Sequence, residues 1–439
     1  MALRSPAVLA VAIALVGGVV IAAAPAALAI LVPLGIGIPV LSALTRSATR
    51  DESPEARARL GRWVALALVA HLISGWLTDV TNFSTDAELY DRVARQLEVH
   101  WSQGLPFERL PSGKEGFFYM LAALYRVFGH YPAAGIVVNC VIAAGTVAIM
   151  YDTTKRMFTA AAAHCVAPLM FLPGFLVWTS GLMREASILL MIAIALNAAV
   201  RLSDRFGVGQ FILMTTSLTL LFTLRANVAL LLMASLLPAL ALSRRQLMTG
   251  LGTGVTVTVV VLVLVVGAGV GYSGYKLSAG ANLEQVEVSR LELSTSAESG
   301  YTRGADVSTT SGALSYLPVG LTNFMLGPFP WQVRTPRQIL ALPDVFLWWM
   351  LLPVLWRGAF EGVRVARRKT LLLLVPAIAI AAPLSLLIGN YGTAIRERLQ
   401  VIILLVPFIA LGVARRRASR QTESSATVRS DALVGHAGP

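Results

Sequence analysis

A chain of 439 residues that is 56% hydrophobic and only 13% charged is not an ordinary soluble protein, where about a quarter of residues are charged. Its mean hydropathy is +0.71 and its formal net charge is +13. That basic balance would suit nucleic acid in a soluble protein. Here much of it lies in short loops between apolar runs, so it reads as membrane orientation and excludes a nucleic-acid partner.

Crossing a bilayer takes about 20 apolar residues. The sequence predicts about twelve such spans, near 7–23, 26–44, 63–77, 133–150, 159–177, 186–202, 208–224, 227–243, 250–271, 340–356, 370–388 and 399–413. The first run resembles a signal peptide, but a second apolar run follows at once, which favours a retained hairpin. Cys140 and Cys165 lie inside spans with no CxxC spacing and read as small buried hydrophobes. Basic clusters follow every second span, from Arg46–Arg62 through Arg364–Lys369 to Arg415–Arg417. Both termini in the cytoplasm put all of them inside. The apolar stretch 117–128 must then not cross; it is short, holds Arg126 and reads as an interfacial helix at the outer surface.

The fold class expected is therefore an all-α polytopic membrane protein of the inner (cytoplasmic) membrane. Its parts are a transmembrane hairpin (1–44), a core (45–271) with an outer loop at 78–116, and an extracytoplasmic loop (272–339). C-terminal spans (340–413) and a disordered cytoplasmic tail (414–439) follow. Within the second loop, Pro318, Pro328 and Pro330 argue against a regular helix in LPVGLTNFMLGPFPWQ.

Five arginines fall at outer ends of spans or in outer loops: Arg184, Arg225, Arg334, Arg396 and Arg398. Arginine is scarce there and costly near hydrocarbon. Arg184 opposes the helix dipole beside Glu185, so it calls for an anion or an acid. Arg396 and Arg398 flank Glu397 after Asn390-Tyr391-Gly392-Thr393; guanidinium groups bind phosphate oxygens bidentately, and the Gly-Thr turn adds backbone donors. Arg334, beside Arg337 in a Pro-rich loop, is explained as well by bulk headgroups. In the first outer loop Asp86 and Glu88 precede a helical pattern. They read as a cap and solvated first turn, with Thr85 or Asp86 as cap, or as a general base with a partner sharing a divalent cation. Lys114 and Glu115 read as a snorkelling anchor or as lining the same face.

The order of these features resembles the GT-C superfamily of integral membrane glycosyltransferases. A span leads to an outer loop with D-x-x-x-Y (Asp86 to Tyr90) and Ala94, then a short helix ending LYRVFG (Leu124 to Gly129). The likeness is clearest over 63–230. NYGTAIRERLQ and PFPW look like features of bacterial membrane proteins of surface-polysaccharide synthesis.

The resemblance implies a sugar donor on a polyprenyl phosphate, a glycan or glycolipid acceptor, contact with membrane lipids, and Asp86 as the catalytic acid, with Glu88 beside it. Arg184, Glu185, Arg225, Arg396, Arg398, Lys114 and Tyr391 would bind substrate. D-A-E departs from the commoner D-E or D-x-D, so use of a divalent cation such as Mg or Mn by Asp86 and Glu88 stays open. Two alternatives remain: an O-antigen-type polymerase or ligase using polyprenyl pyrophosphate, and a lipid or glycan transporter. The second would want charged mid-membrane residues in paired half-helices; His71 and Arg126 are the nearest to such.

Overall fold

A computed structural model describes residues 25–105, 110, 113–243, 282–295, 299–301, 306–333 and 335–435. The expected spans 7–23 and 250–271 lie outside the described residues, as does Arg334. The described elements are helical: α1 Pro25–Ala48, α2 Pro54–Val80, α3 Thr85–Gln103, α4 Glu115–Phe128, α5 Pro132–Met157, α6 Ala160–Ala163, α7 Val166–Leu169 and α8 Pro173–Ser180. There follow α9 Glu185–Asp204, α10 Val208–Leu224, α11 Ala226–Ser243, α12 Leu283–Thr295, α13 Thr310–Leu326, α14 Pro336–Leu387 and α15 Tyr391–Gly435.

Among the described residues, six helices are long and apolar enough to cross a membrane, or seven if a bent pair counts as one. They differ in burial. The apolar window of α15 is 83% buried and that of α5 72%, against 22% in α1 and 28% in α2. The exposed side chains of α1 and α2 are large and apolar, among them Ile36, Ile73 and Trp76. In a bilayer such a face meets lipid tails at no cost.

The chain divides into two compact units. The first is Met1–Ala148, Leu176–Leu190 and Leu220–Ala226; the second is Ile149–Phe175, Met191–Thr219 and Asn227–Pro439. In the first, α3 packs on α4. Tyr90, Ala94 and Leu97 recur at helical spacing on α3 and are buried, as are Phe117, Phe118, Leu121, Ala122 and Tyr125 on α4. The 14-residue α4 spans only about 21 Å at 1.5 Å per residue, too little to cross.

Several expectations change. The span expected at 159–177 is broken into α6, α7 and α8, with a 65° bend. Pro168, Pro173 and Gly174 explain the break, since proline cannot continue the ladder. The spans 340–356 and 370–388 lie in one 52-residue helix, α14, kinked at Ala366. Their basic connection holds Gly358 and Gly362 but no Pro, and a glycine costs a helix only about 1 kcal/mol, too little to end it. Thr310–Leu326 is a helix despite Pro318. Only Pro328 and Pro330 lie past its end, and the indole N–H groups of Trp348 and Trp349 donate to its last carbonyls at Met325 and Leu326 (2.8 and 2.9 Å). Finally, α15 runs to Gly435, through the tail expected to be disordered.

In the second unit α14 and α15 meet backbone to backbone. A Cβ at Gly358 would lie 1.8 Å from the Phe408 carbonyl oxygen, and one at Gly412 would lie 2.3 Å from that of Val354. Small residues permit such an approach in membrane helices. Gly358→Ala is expected to lower stability by about 1–3 kcal/mol through overpacking. Gly35→Ala, which meets nothing within 4 Å, is the control and should not destabilise. Thermal unfolding of the detergent-solubilised chain measures both; equal melting temperatures for the two variants would refute the close crossing.

Candidate functional site

The first unit carries a polar cluster. Ser84, not Thr85 or Asp86, occupies the N-cap position of α3, in extended conformation and without a side-chain cap hydrogen bond. Asp86 and Glu88 fall in the first turn, where the helix dipole favours acids. They lie two residues apart, so they face different sides of the helix. Asp86 is half-buried and Glu88 exposed. Among the described residues there is no group of three or more His, Cys, Asp or Glu side chains placed to hold a metal.

Tyr90 follows Asp86 by one turn on the same side of α3. Its ring packs edge-on against Phe117 (5.0 Å between centroids) and tilted against Phe118 (5.5 Å). The Lys114 ammonium lies over that ring, 5.5 Å from its centroid. So the D-x-x-x-Y pattern is in part a packing pattern: Tyr90 and Ala94 seat α4. Further along, Asp91 Oδ1 accepts from the Tyr125 hydroxyl (2.6 Å) and faces His130 Nε2 (2.8 Å). Burial, then Asp91 itself, raises the Tyr125 pKa, which keeps the phenol a donor.

Lys114 is held by what precedes it. Gly113 adopts φ +73°, a left-handed conformation that suits glycine. Its carbonyl accepts from Arg184 Nη1 at 2.6 Å. The same nitrogen donates to the Leu224 carbonyl at 2.7 Å, at the end of α10. Next in sequence to each, Arg225 pairs with Glu185 at 3.3 Å, both side chains 3% exposed. Two adjacent residues at the head of α9 therefore grip two adjacent residues at the turn from α10 to α11. Asn139 completes the layer, donating to the Gly181 and Met183 carbonyls (both 2.7 Å). Arg184 thus has partners that its sequence position does not announce: carbonyls, one of them at a helix C-terminus where a cation is welcome.

The second unit carries another cluster. Arg398 is fully buried; it donates to the Gly327 carbonyl (2.7 Å) and to Asp344 Oδ2 (2.9 Å). Asp344 Oδ1 accepts from the Gly174 N–H at 2.7 Å, in the first turn of α8. Tyr391 is 2% exposed, its hydroxyl bonded to the amide side chains of Asn323 and Gln332 and its ring stacked on Tyr301 (4.4 Å). The Gly392-Thr393 turn is the first turn of α15, and the Thr393 N–H is taken by Asn390 Oδ1 (2.8 Å). It is therefore not a nest of spare donors. Arg396 and Glu397 are half-buried.

The arginines thus divide. Arg184 and Arg225, with Lys114 and Glu185, belong to the first cluster; Arg398 and Tyr391 belong to the second. Asp344 was missed, although a lone acid within an apolar run is the signal for it. Removing one member of a buried pair leaves an uncompensated charge and costs about 3–5 kcal/mol. Arg225→Met and Glu185→Leu should each destabilise by about that much, and the double variant should recover most of it. Unfolding titrations in detergent measure this; neutral single variants would overturn the grip.

No protein-family model matches the chain, and no curated protein matches it. Among solved structures it is similar to ArnT from Cupriavidus metallidurans bound to undecaprenyl phosphate, with a TM-score of 0.51 and 17% sequence identity. The likeness covers 85% of this chain and 63% of that one. At that identity it speaks for the fold. The described residues form a helical, multi-pass membrane protein with the fold of that structure.

Proposed function

We propose that the chain is a membrane glycosyltransferase. It moves a sugar from a polyprenyl-phosphate donor to a cell-envelope glycan or lipid acceptor at the outer face of the cytoplasmic membrane. The observation that carries this reading is the pairing of α3 with α4. A half-buried acid, Asp86, sits one turn before Tyr90, and the Lys114 ammonium lies over the Tyr90 ring. A base for an acceptor hydroxyl and a cation for a leaving phosphate are supplied by one compact unit. The fold adds support, since the similar structure holds undecaprenyl phosphate.

The chemistry is a single displacement. The acceptor oxygen bonds to the anomeric carbon from the side opposite the lipid phosphate, and the bond from that carbon to the phosphate oxygen breaks. The electron pair leaves with the lipid phosphate, and Asp86 takes the hydroxyl proton. Lys114 meets the charge that develops on the phosphate. Arg184, Arg225 and Glu185 act as positioning residues, because the first two hold Gly113 and the α9–α10 ends in place. Arg396 remains the candidate phosphate ligand of the second unit, and Glu88 a modulator of Asp86.

The polymerase or ligase reading leans on arginines alone. It is weakened because Arg225 and Arg398 face carboxylates of the protein itself. One observation favours a transporter: the broken helix 160–180, of a kind transporters use to bind substrate at half-helix ends. Yet the first turn of α8 is engaged by Asp344.

Asp86→Asn should lower sugar transfer from a labelled polyprenyl-phosphate donor by about 10²–10⁴-fold at normal protein levels, the span expected for loss of a general base. Glu88→Gln should change it little. Full activity in Asp86→Asn would remove Asp86 from the chemistry.

A further inference from the structure

The basic stretches in the middle of α14 and α15 flank an open cavity that the transfer chemistry does not use. The two helices touch at Gly358 and Gly412, as above. Beyond that crossing, residues 356–364 of one helix and 412–420 of the other line a space of about 870 Å³. This lies within the range of about 300–1,000 Å³ typical of small-molecule sites. Five arginines line it, Arg357, Arg364, Arg415, Arg416 and Arg420. Glu361 is the one carboxylate among the described lining residues, and it pairs with Arg415 at 2.5 Å. One side of the wall is aromatic. Trp356 and Phe360 pack edge to face at 4.8 Å yet are 68% and 51% exposed.

Orientation on the membrane explains why arginines gather on this side. It does not explain why they line a cavity with a tryptophan and a phenylalanine at its rim. Aromatic rings of this kind sit at headgroup depth. Guanidinium groups bind phosphate oxygens in pairs, and a basic recess between membrane helices suits an anionic headgroup. A phosphate alone would satisfy the arginines but would leave the exposed rings without a purpose.

We infer that this cavity binds an anionic glycerophospholipid. The phosphate lies among Arg357, Arg364, Arg416 and Arg420, and an acyl chain lies along Trp356 and Phe360. On the orientation proposed above the lipid comes from the inner leaflet. The site stands whether or not the chain transfers sugar.

The test uses the full chain purified in neutral detergent. Short-chain phosphatidylglycerol is titrated against thermal unfolding, with short-chain phosphatidylcholine and glycerol phosphate as separate arms. Phosphatidylglycerol should stabilise the chain, and the other two should not. The Arg364→Gln/Arg416→Gln double variant should weaken that effect by about tenfold or more, with Arg→Gln at exposed Arg57 and Arg59 as the charge-matched control. Trp356→Ala should weaken it too, while each variant melts normally without lipid. Equal stabilisation by glycerol phosphate would mean a soluble anion instead. Equal stabilisation by phosphatidylcholine, or equal loss in the Arg57/Arg59 control, would mean no built site, and each of these results overturns the inference.

Discussion

A guanidinium taken out of water must find oxygen, and the helix ends of this chain are arranged around that demand. Arg184 takes two backbone carbonyls, Arg225 takes Glu185, and Arg398 takes Asp344 with the Gly327 carbonyl. These contacts join segments far apart in sequence at the ends of helices, where apolar packing alone would not fix the register. A carbonyl at a helix C-terminus has no intrahelical partner and suits this use. Within the first unit the consequence is local. Holding Gly113 fixes the start of α4, which sets Lys114 over Tyr90, one turn from Asp86.

The same rule accounts for the second cluster. Asp344 lies in an apolar run and is tolerable only because Arg398 and the Gly174 N–H satisfy both of its oxygens. Gly174 is close enough that a Cβ there would lie 3.0 Å from that carboxylate. The break before α8 therefore supplies a donor as well as a bend.

Much of this architecture was legible in the sequence, and the reasons differ by feature. Apolar runs and basic loops mark spans because hydrocarbon excludes charge, a signal local to each segment. The short α4 was legible because a twelve-residue stretch holding Arg126 cannot cross. The oddity of Arg184, Arg225 and Arg398 was also visible, but not its resolution. Their partners lie 40 to 71 residues away, and no local pattern names a carbonyl as acceptor. Each of the three has acceptors within the protein. The kink at Ala366 and the helix through Pro318 were hidden for another reason. Tertiary contacts decide whether a weak breaker ends a helix, as with the tryptophan N–H groups at the end of α13.

On the proposed function, a charged frame holds a separate reacting pair, Asp86 and Lys114. The most direct measurement compares sugar transfer by the reconstituted chain carrying Arg225→Met with Glu185→Leu against the chain carrying Lys114→Ala. The account predicts that the frame replacement keeps most of the turnover, whereas the lysine variant folds but turns over far more slowly. Loss of turnover in a well-folded frame replacement, with Lys114→Ala unaffected, would contradict it and return Arg225 to the donor phosphate.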